Sequence, residues 1–247
     1  LRNYPSDYFI AFDFMDKRYL FWSLVWVGFF YNFGLWLDKF MFWFYEPTSQ
    51  AIIGPLRASL IYDIPVFLAY LSIIPGMAVF LVKMETDFVE FYDNFYNAVR
   101  EGGSLEYIEE MRNEMVFTVR QGIYQIIKIQ GIAALTVFVA GEIILNTLHI
   151  SLLYLPLLFV NLISVGLQVV FLGVLNVFFY LDKRRIVFIL TGLFVVLNGV
   201  FTGLTLHLGP KFYGYGLAGA LLICIMLGFR YLDKVFDELE YNTFMLQ

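Results

Sequence analysis

A single cysteine, Cys224, stands among 247 residues, so no intrachain disulfide can form and compartment cannot be argued from redox chemistry. Charge is scarce too: Asp, Glu, Lys and Arg make up 15% of the chain, where an ordinary soluble domain carries about a quarter. The net charge of -5 speaks against nucleic acid as a partner. Histidine is limited to His149 and His207, far apart and without a neighbouring acid or thiol, so neither a metal site nor a nucleophilic constellation is visible. No phosphate-cradling glycine loop appears, and Asp13 and Asp16 make no nucleotide-sugar signature. The chain opens on leucine without the basic start and apolar stretch of a signal peptide, and is expected to be an internal or C-terminal piece. What remains is apolar. Hydrophobic residues make up 60% and aromatics 20%, with a mean hydropathy of +0.74. Such a composition excludes disorder and points to the bilayer as solvent.

The hydropathy pattern predicts an all-α polytopic membrane protein with six transmembrane helices, at about residues 19–44, 59–82, 122–145, 160–180, 186–206 and 212–232. Pro65, Pro75 and Gly76 should kink the second span, and Pro156 should divide the long apolar tract before the fourth. Gly209 and Pro210 mark a turn between the last two. Six spans put both ends on one side, and the basic residues choose which: twelve Lys and Arg fall in the candidate inner segments, against Arg57 and Lys211 outside. The ends, including the tail at 233–247, are therefore expected in the cytoplasm.

Residues 83–121 form the only sizeable polar insertion and should be a cytoplasmic helical elbow. Phe88, Phe91, Phe95 and Tyr96, with Tyr92 and Val99, share one helical face opposite Asp87, Glu90, Asp93 and Asn97. Gly102 and Gly103 end that helix, and Ser104 caps the next. The segment reads either as a helix lying in the membrane interface or as a docking surface for a cytoplasmic partner, the latter helped by its acidic polar face, since a helix meant only for anionic lipid is normally basic.

Polar groups inside spans are costly, about 2.5–3.5 kcal/mol for a central charge, and so are the first functional candidates. Asp38 and Lys39 lie about 100° apart on one helix and are expected to find partners elsewhere rather than each other. Lys128 sits two turns into the third span, where snorkelling competes with lining a vestibule; Asp63 and Glu142 are weaker candidates. Two stripes make one face of a helix wettable: Asn161, Ser164 and Gln168 on the fourth span, and Asn198, Thr202 and Thr205 on the fifth. Each stripe fits either a hydrophilic path for a sugar ligand or interhelix hydrogen bonding in a packed bundle. Aromatics suit a sugar as well, but they occur throughout the chain. Cys224 reads as packing, and no cofactor or metal is expected.

Several strings resemble the Pel exopolysaccharide transporter family: Gly34-Leu-Trp-Leu-Asp-Lys39, the run from Ile61 to Ala78, Met84-Glu-Thr-Asp-Phe88, Ala98-Val-Arg-Glu-Gly-Gly-Ser104, the run from Asn176 to Arg185, Phe212-Tyr-Gly-Tyr-Gly216, and Leu239-Glu-Tyr-Asn-Thr-Phe-Met245. The similarity extends over nearly the whole chain. It implies membership of the multidrug, oligosaccharidyl-lipid and polysaccharide exporter superfamily, in which twelve helices form two six-helix lobes around a cavity. This chain would match the second lobe, with the first missing from a truncated sequence. The resemblance also implies a bacterial inner-membrane location and a role in biofilm matrix production. Its implied partners are a cytoplasmic glycosyltransferase and other Pel inner-membrane subunits.

Three readings therefore stand at this stage. The leading one is a transport subunit, not an enzyme, whose path is lined by Asp38, Lys39, Lys128 and the two stripes. The others are a scaffold anchoring a cytoplasmic synthase through elbow and tail, and an integral-membrane transferase, for which no catalytic group is in sight.

Overall fold

A computed structural model describes residues 21–239. Arg2, Lys17, Arg18, Asp13, Asp16 and the string that follows Leu239 lie outside them. The described chain is almost wholly helical: α1 (Trp22–Phe44), α2 (Leu60–Leu71), α3 (Ile74–Val82), α4 (Phe88–Arg100), α5 (Leu105–Thr147), α6 (Leu155–Tyr180), α7 (Arg184–Leu208) and α8 (Tyr215–Asp237). One small antiparallel hairpin, β1 (Gln50–Ile53) with β2 (Leu56–Ala58), joins α1 to α2 and was not anticipated.

Four segments are long and apolar enough to cross a membrane, those built on α5, α6, α7 and α8, and a fifth is added if the bent pair from Leu60 to Arg100 counts as one. The expectation of six rested on α1, which at 23 residues has the length. It falls short in hydropathy, because Asn32, Asp38 and Lys39 and its tryptophans dilute the aliphatic content.

α6 is the central helix, with two thirds of its apolar window buried, against a sixth for that of α5. Its Val and Leu side chains join Phe171 and Phe178 in a core completed by Phe194 of α7 and by Leu217, Leu221 and Cys224 of α8. α1 packs along α7, where glycines permit close approach: Gly199 and Gly203 lie against Leu37 and Met41.

α2 runs through Pro65 without ending, and the chain bends by 43° at Ser72–Ile73, just ahead of Pro75 in the first turn of α3. The bend exposes the Ser72 carbonyl, which accepts a hydrogen bond from Gln130 Nε2 of α5 at 3.2 Å. Gly76 makes room for this side chain, since a Cβ there would lie 2.2 Å from Gln130 Oε1.

The elbow departs from expectation in one respect. Its second helix is continuous with the following span, giving the 43-residue α5, about 64 Å long and twice a bilayer core. Ser104 does cap it, accepting from the Tyr107 amide at 3.3 Å. A π-helical turn at Lys83–Asp87 leads from α3 into α4. Glu85 in that turn accepts from Asn176 Nδ2 at 2.8 Å and from the Tyr180 hydroxyl at 3.2 Å, tying the elbow to α6.

Candidate intramembrane site

The site grows out of the interruption of α1 by two charges. Asp38 is fully buried and Lys39 nearly so. Contrary to the sequence expectation, they pair with each other. The lysine stem curls back one helical turn, so that Nζ donates to the Leu35 carbonyl at 2.8 Å and to both Asp38 carboxylate oxygens at 3.1 and 3.2 Å. The angle between neighbouring residues is no barrier to a side chain with four methylenes. The expectation of a partner elsewhere holds for Asp38 in addition, because the Tyr62 hydroxyl donates to its Oδ2 at 2.5 Å. Tyr62 is itself stacked on Phe42, ring centres 3.8 Å apart, with Tyr213 set edge-on to Phe42 at 4.9 Å.

Beside this ion pair lies a cavity of about 490 Å³ between α1, α2 and α6. Lys39, Asp63, Tyr70 and Gln168 supply its polar wall, and Trp36 and Trp43 supply flat apolar surface. The polar groups are held in place: Tyr70 donates to Gln168 Oε1 at 2.7 Å, and Lys39 Nζ stands 5.6 Å from the centre of the Tyr70 ring. Asp63 accepts from Trp43 Nε1 at 3.0 Å and from the Ser59 amide at 3.0 Å, bridging α1 to the start of α2. Aromatic faces ringed by an amine, a carboxylate, a phenol and an amide form a surface that can take a polyhydroxylated ring: hydroxyls pair at its edge while its C–H faces lie on indole.

The expected site residues separate sharply. Asp38, Lys39 and Gln168 come together. Asn198 and Thr202 do not reach the cavity: Asn198 Nδ2 donates to the Gly34 carbonyl of α1 at 2.8 Å, Thr202 donates to Asn198 Oδ1 at 2.9 Å, and Thr205 turns back on its own helix. In the α7 stripe one bond, from Asn198, crosses to α1, and the two threonines bond within their own helix. On α6, Ser164 bonds its own helix, and Asn161 is buried with its Nδ2 lacking a partner among the described residues. Lys128 is exposed on α5, away from the cavity. Phe88 and Phe95, expected as docking residues, are fully buried, α4 lying along α5 with Phe88 edge-on to Tyr180 of α6, and Phe91 and Tyr96 are half-buried beside them. The chain itself covers Phe88 and Phe95 of the face on which a partner was expected, and leaves Phe91 and Tyr96 partly open.

Tyr62, Tyr70, Trp36 and Trp43 were missed by sequence reading. A signal existed: Trp36, Lys39 and Trp43 fall at i, i+3 and i+7 on one face of α1. A larger open hollow of about 800 Å³ lies at the other end of α1 and α7, lined by Lys183, Arg184 and Arg185. Arg184 is already paired with Asp182 and covers the Phe21 ring at 3.9 Å.

A model of the PelG family, described as "Putative exopolysaccharide Exporter (EPS-E)", matches residues 1–244. The chain belongs to this family. No curated protein and no solved structure matches it. PelG membership assigns the chain to exopolysaccharide export and accords with helices able to cross a membrane.

Proposed function

We propose that the chain is an inner-membrane transport subunit that moves Pel exopolysaccharide across the cytoplasmic membrane during biofilm matrix production, without catalysing covalent chemistry. The match to an exporter family over 1–244 carries this reading. The amphipathic cavity at Lys39, Asp63 and Gln168 supports it as a stretch of the path. α1 serves as the first of six spans in one lobe of a twelve-helix exporter fold, with both chain ends in the cytoplasm. The elbow, long α5 and acidic exposed face then stand on the side where a glycosyltransferase and other Pel subunits deliver polymer. Transport follows a rocking of lobes or a push from the synthase, and the bend at Ser72–Ile73, held by Gln130, is where α2 and α3 change their angle.

The test is polymer location in cells lacking the gene, comparing surface and cytoplasmic polysaccharide by lectin binding before and after lysis, with the synthase confirmed present. Polymer trapped inside is the expected result. Undiminished surface polymer overturns the exporter reading. Loss of polymer everywhere, while solubilised synthase still polymerises in vitro, means that synthesis and export are coupled through this subunit. If Asp38→Asn and Lys39→Met leave export intact at normal protein levels, those positions leave the path.

A further inference from the structure

All four tryptophans of the chain, Trp22, Trp26, Trp36 and Trp43, lie on α1. Together with Phe29, Phe33 and Phe40 they occupy positions that alternate by four and three residues without a break. Such spacing keeps every ring on one narrow face of the helix. The rings touch in succession: Trp26 to Phe29 at 5.8 Å, Phe29 stacked on Phe33 at 5.5 Å, Phe33 to Phe40 at 6.5 Å, and Phe40 to Trp43 at 5.4 Å. Trp36 bridges the last two, lying 6.1 Å from Phe40 and 6.3 Å from Trp43. Trp26, Phe29 and Trp36 are each about half exposed, although α1 is firmly packed on α7 through its other face.

Three observations bear on what covers this face. A lipid-facing helix carries its tryptophans at the two interfaces, a pattern that fits Trp22, Trp26 and Trp43 but not Trp36 in mid-helix, and the ladder as a whole runs for about 32 Å, the depth of the hydrocarbon core. Its edge is polar: Asn32 lines a second hollow with Phe29 and Trp36, and seven residues on Lys39 lines the cavity with Trp36 and Trp43. α1 is also a helix of full membrane length that falls short in hydropathy; its charges at Asp38 and Lys39 are buried, but Asn32 stands exposed on the open face, which suits a wetter neighbour than acyl chains.

Resting on the export reading above, we propose that the α1 ladder is a sliding track for the exported polymer, on which successive pyranose rings stack as they cross the membrane. One aromatic is presented for about every 5 Å of rise, comparable to the length of one sugar residue. Flat faces hold a ring without fixing its register, and the Asn32–Lys39 edge meets the hydroxyls. The cavity beside Lys39 is then one subsite of a repeated series.

Because every indole belongs to the ladder, tryptophan emission, excited at the red edge where the chain's 17 tyrosines do not absorb, reports on this face alone. The chain in phospholipid nanodiscs is titrated with the hexamer of N-acetylglucosamine, the hexamer of glucose, and the corresponding dimers. A saturable emission change is expected, tighter for hexamers than for dimers. Phe33→Leu/Phe40→Leu leaves all indoles in place and keeps an apolar helix, yet should weaken hexamer binding by about tenfold or more. Phe33→Tyr/Phe40→Tyr should restore it, and Phe117→Leu, exposed in the elbow part of α5, should change nothing. Leucine variants that bind as wild type overturn the track. So does the absence of a saturable response to either hexamer, or quenching by brominated acyl chains that no hexamer relieves, which marks the face as lipid-covered. Emission that depends on two copies per disc overturns it as well, as a contact between chains. If the deletion cells trap polymer while the leucine variants bind and export normally, the track falls and the export reading stands; undiminished surface polymer in those cells removes both.

Discussion

The polar stripe of α7 and the charged corner of α1 look alike as text, since each places polar side chains within an apolar helix. In the structure they are opposites. Asn198, Thr202 and Thr205 direct their hydrogen bonds into helix packing and leave nothing facing open space. Lys39, Tyr70 and Gln168 are hydrogen-bonded too, but their partners are arranged around a cavity, so their edges remain on its wall. The two regions differ in whether satisfied groups border open volume, which a group must do to meet a ligand. The elbow repeats the contrast: on an amphipathic face that reads as a docking surface, Phe88 and Phe95 are covered by the chain's own α5 and α6.

Several substitutions break or sharpen this contrast. The largest effect belongs to the elbow. Phe88 is fully buried and set edge-on to Tyr180 at 5.4 Å, so Phe88→Ala should cost about 3–5 kcal/mol in detergent unfolding. An unchanged melting temperature together with lost partner assembly would restore the docking reading.

Next is the corner of α1. Lys39→Met leaves Asp38 buried with only Tyr62 to stabilise it, and should cost about 3–5 kcal/mol. Asp38→Asn/Lys39→Met removes both charges and should be markedly more stable than the single variant, though impaired in export. A double variant no more stable than Lys39→Met would show that the pair is not coupled as its geometry requires.

A smaller effect is expected at the bend. Gly76→Ala drives a methyl into Gln130 Oε1 and should cost about 1–3 kcal/mol, and Gln130→Ala in the same chain should recover part of that loss. Additive losses in this double-mutant cycle would mean that the two groups do not meet. The smallest belongs to α7: Thr202→Val removes one bond to Asn198 and should cost about 0.6 kcal/mol with export unchanged. A large export defect at normal expression would return the α7 stripe to the path.

The sequence by itself determined the solvent and the local punctuation. Aromatic and aliphatic abundance with little charge makes a helical membrane chain. The glycines at 102 and 103 and the cap at Ser104 mark the break in the elbow, because capping and glycine conformations depend on a few adjacent residues. Burial of Asp38 was legible as cost, and the Pro75 region as a bend. The tertiary structure alone decided which polar groups border the cavity. Tyr62 reaches Asp38 across 24 residues and Tyr70 reaches Gln168 across 98, and neither spacing leaves a periodic trace in the chain. Packing also decided which of two similar amphipathic faces stays open. Such choices follow from how much neighbouring volume the other helices fill, a property of the assembled bundle and not of any one segment.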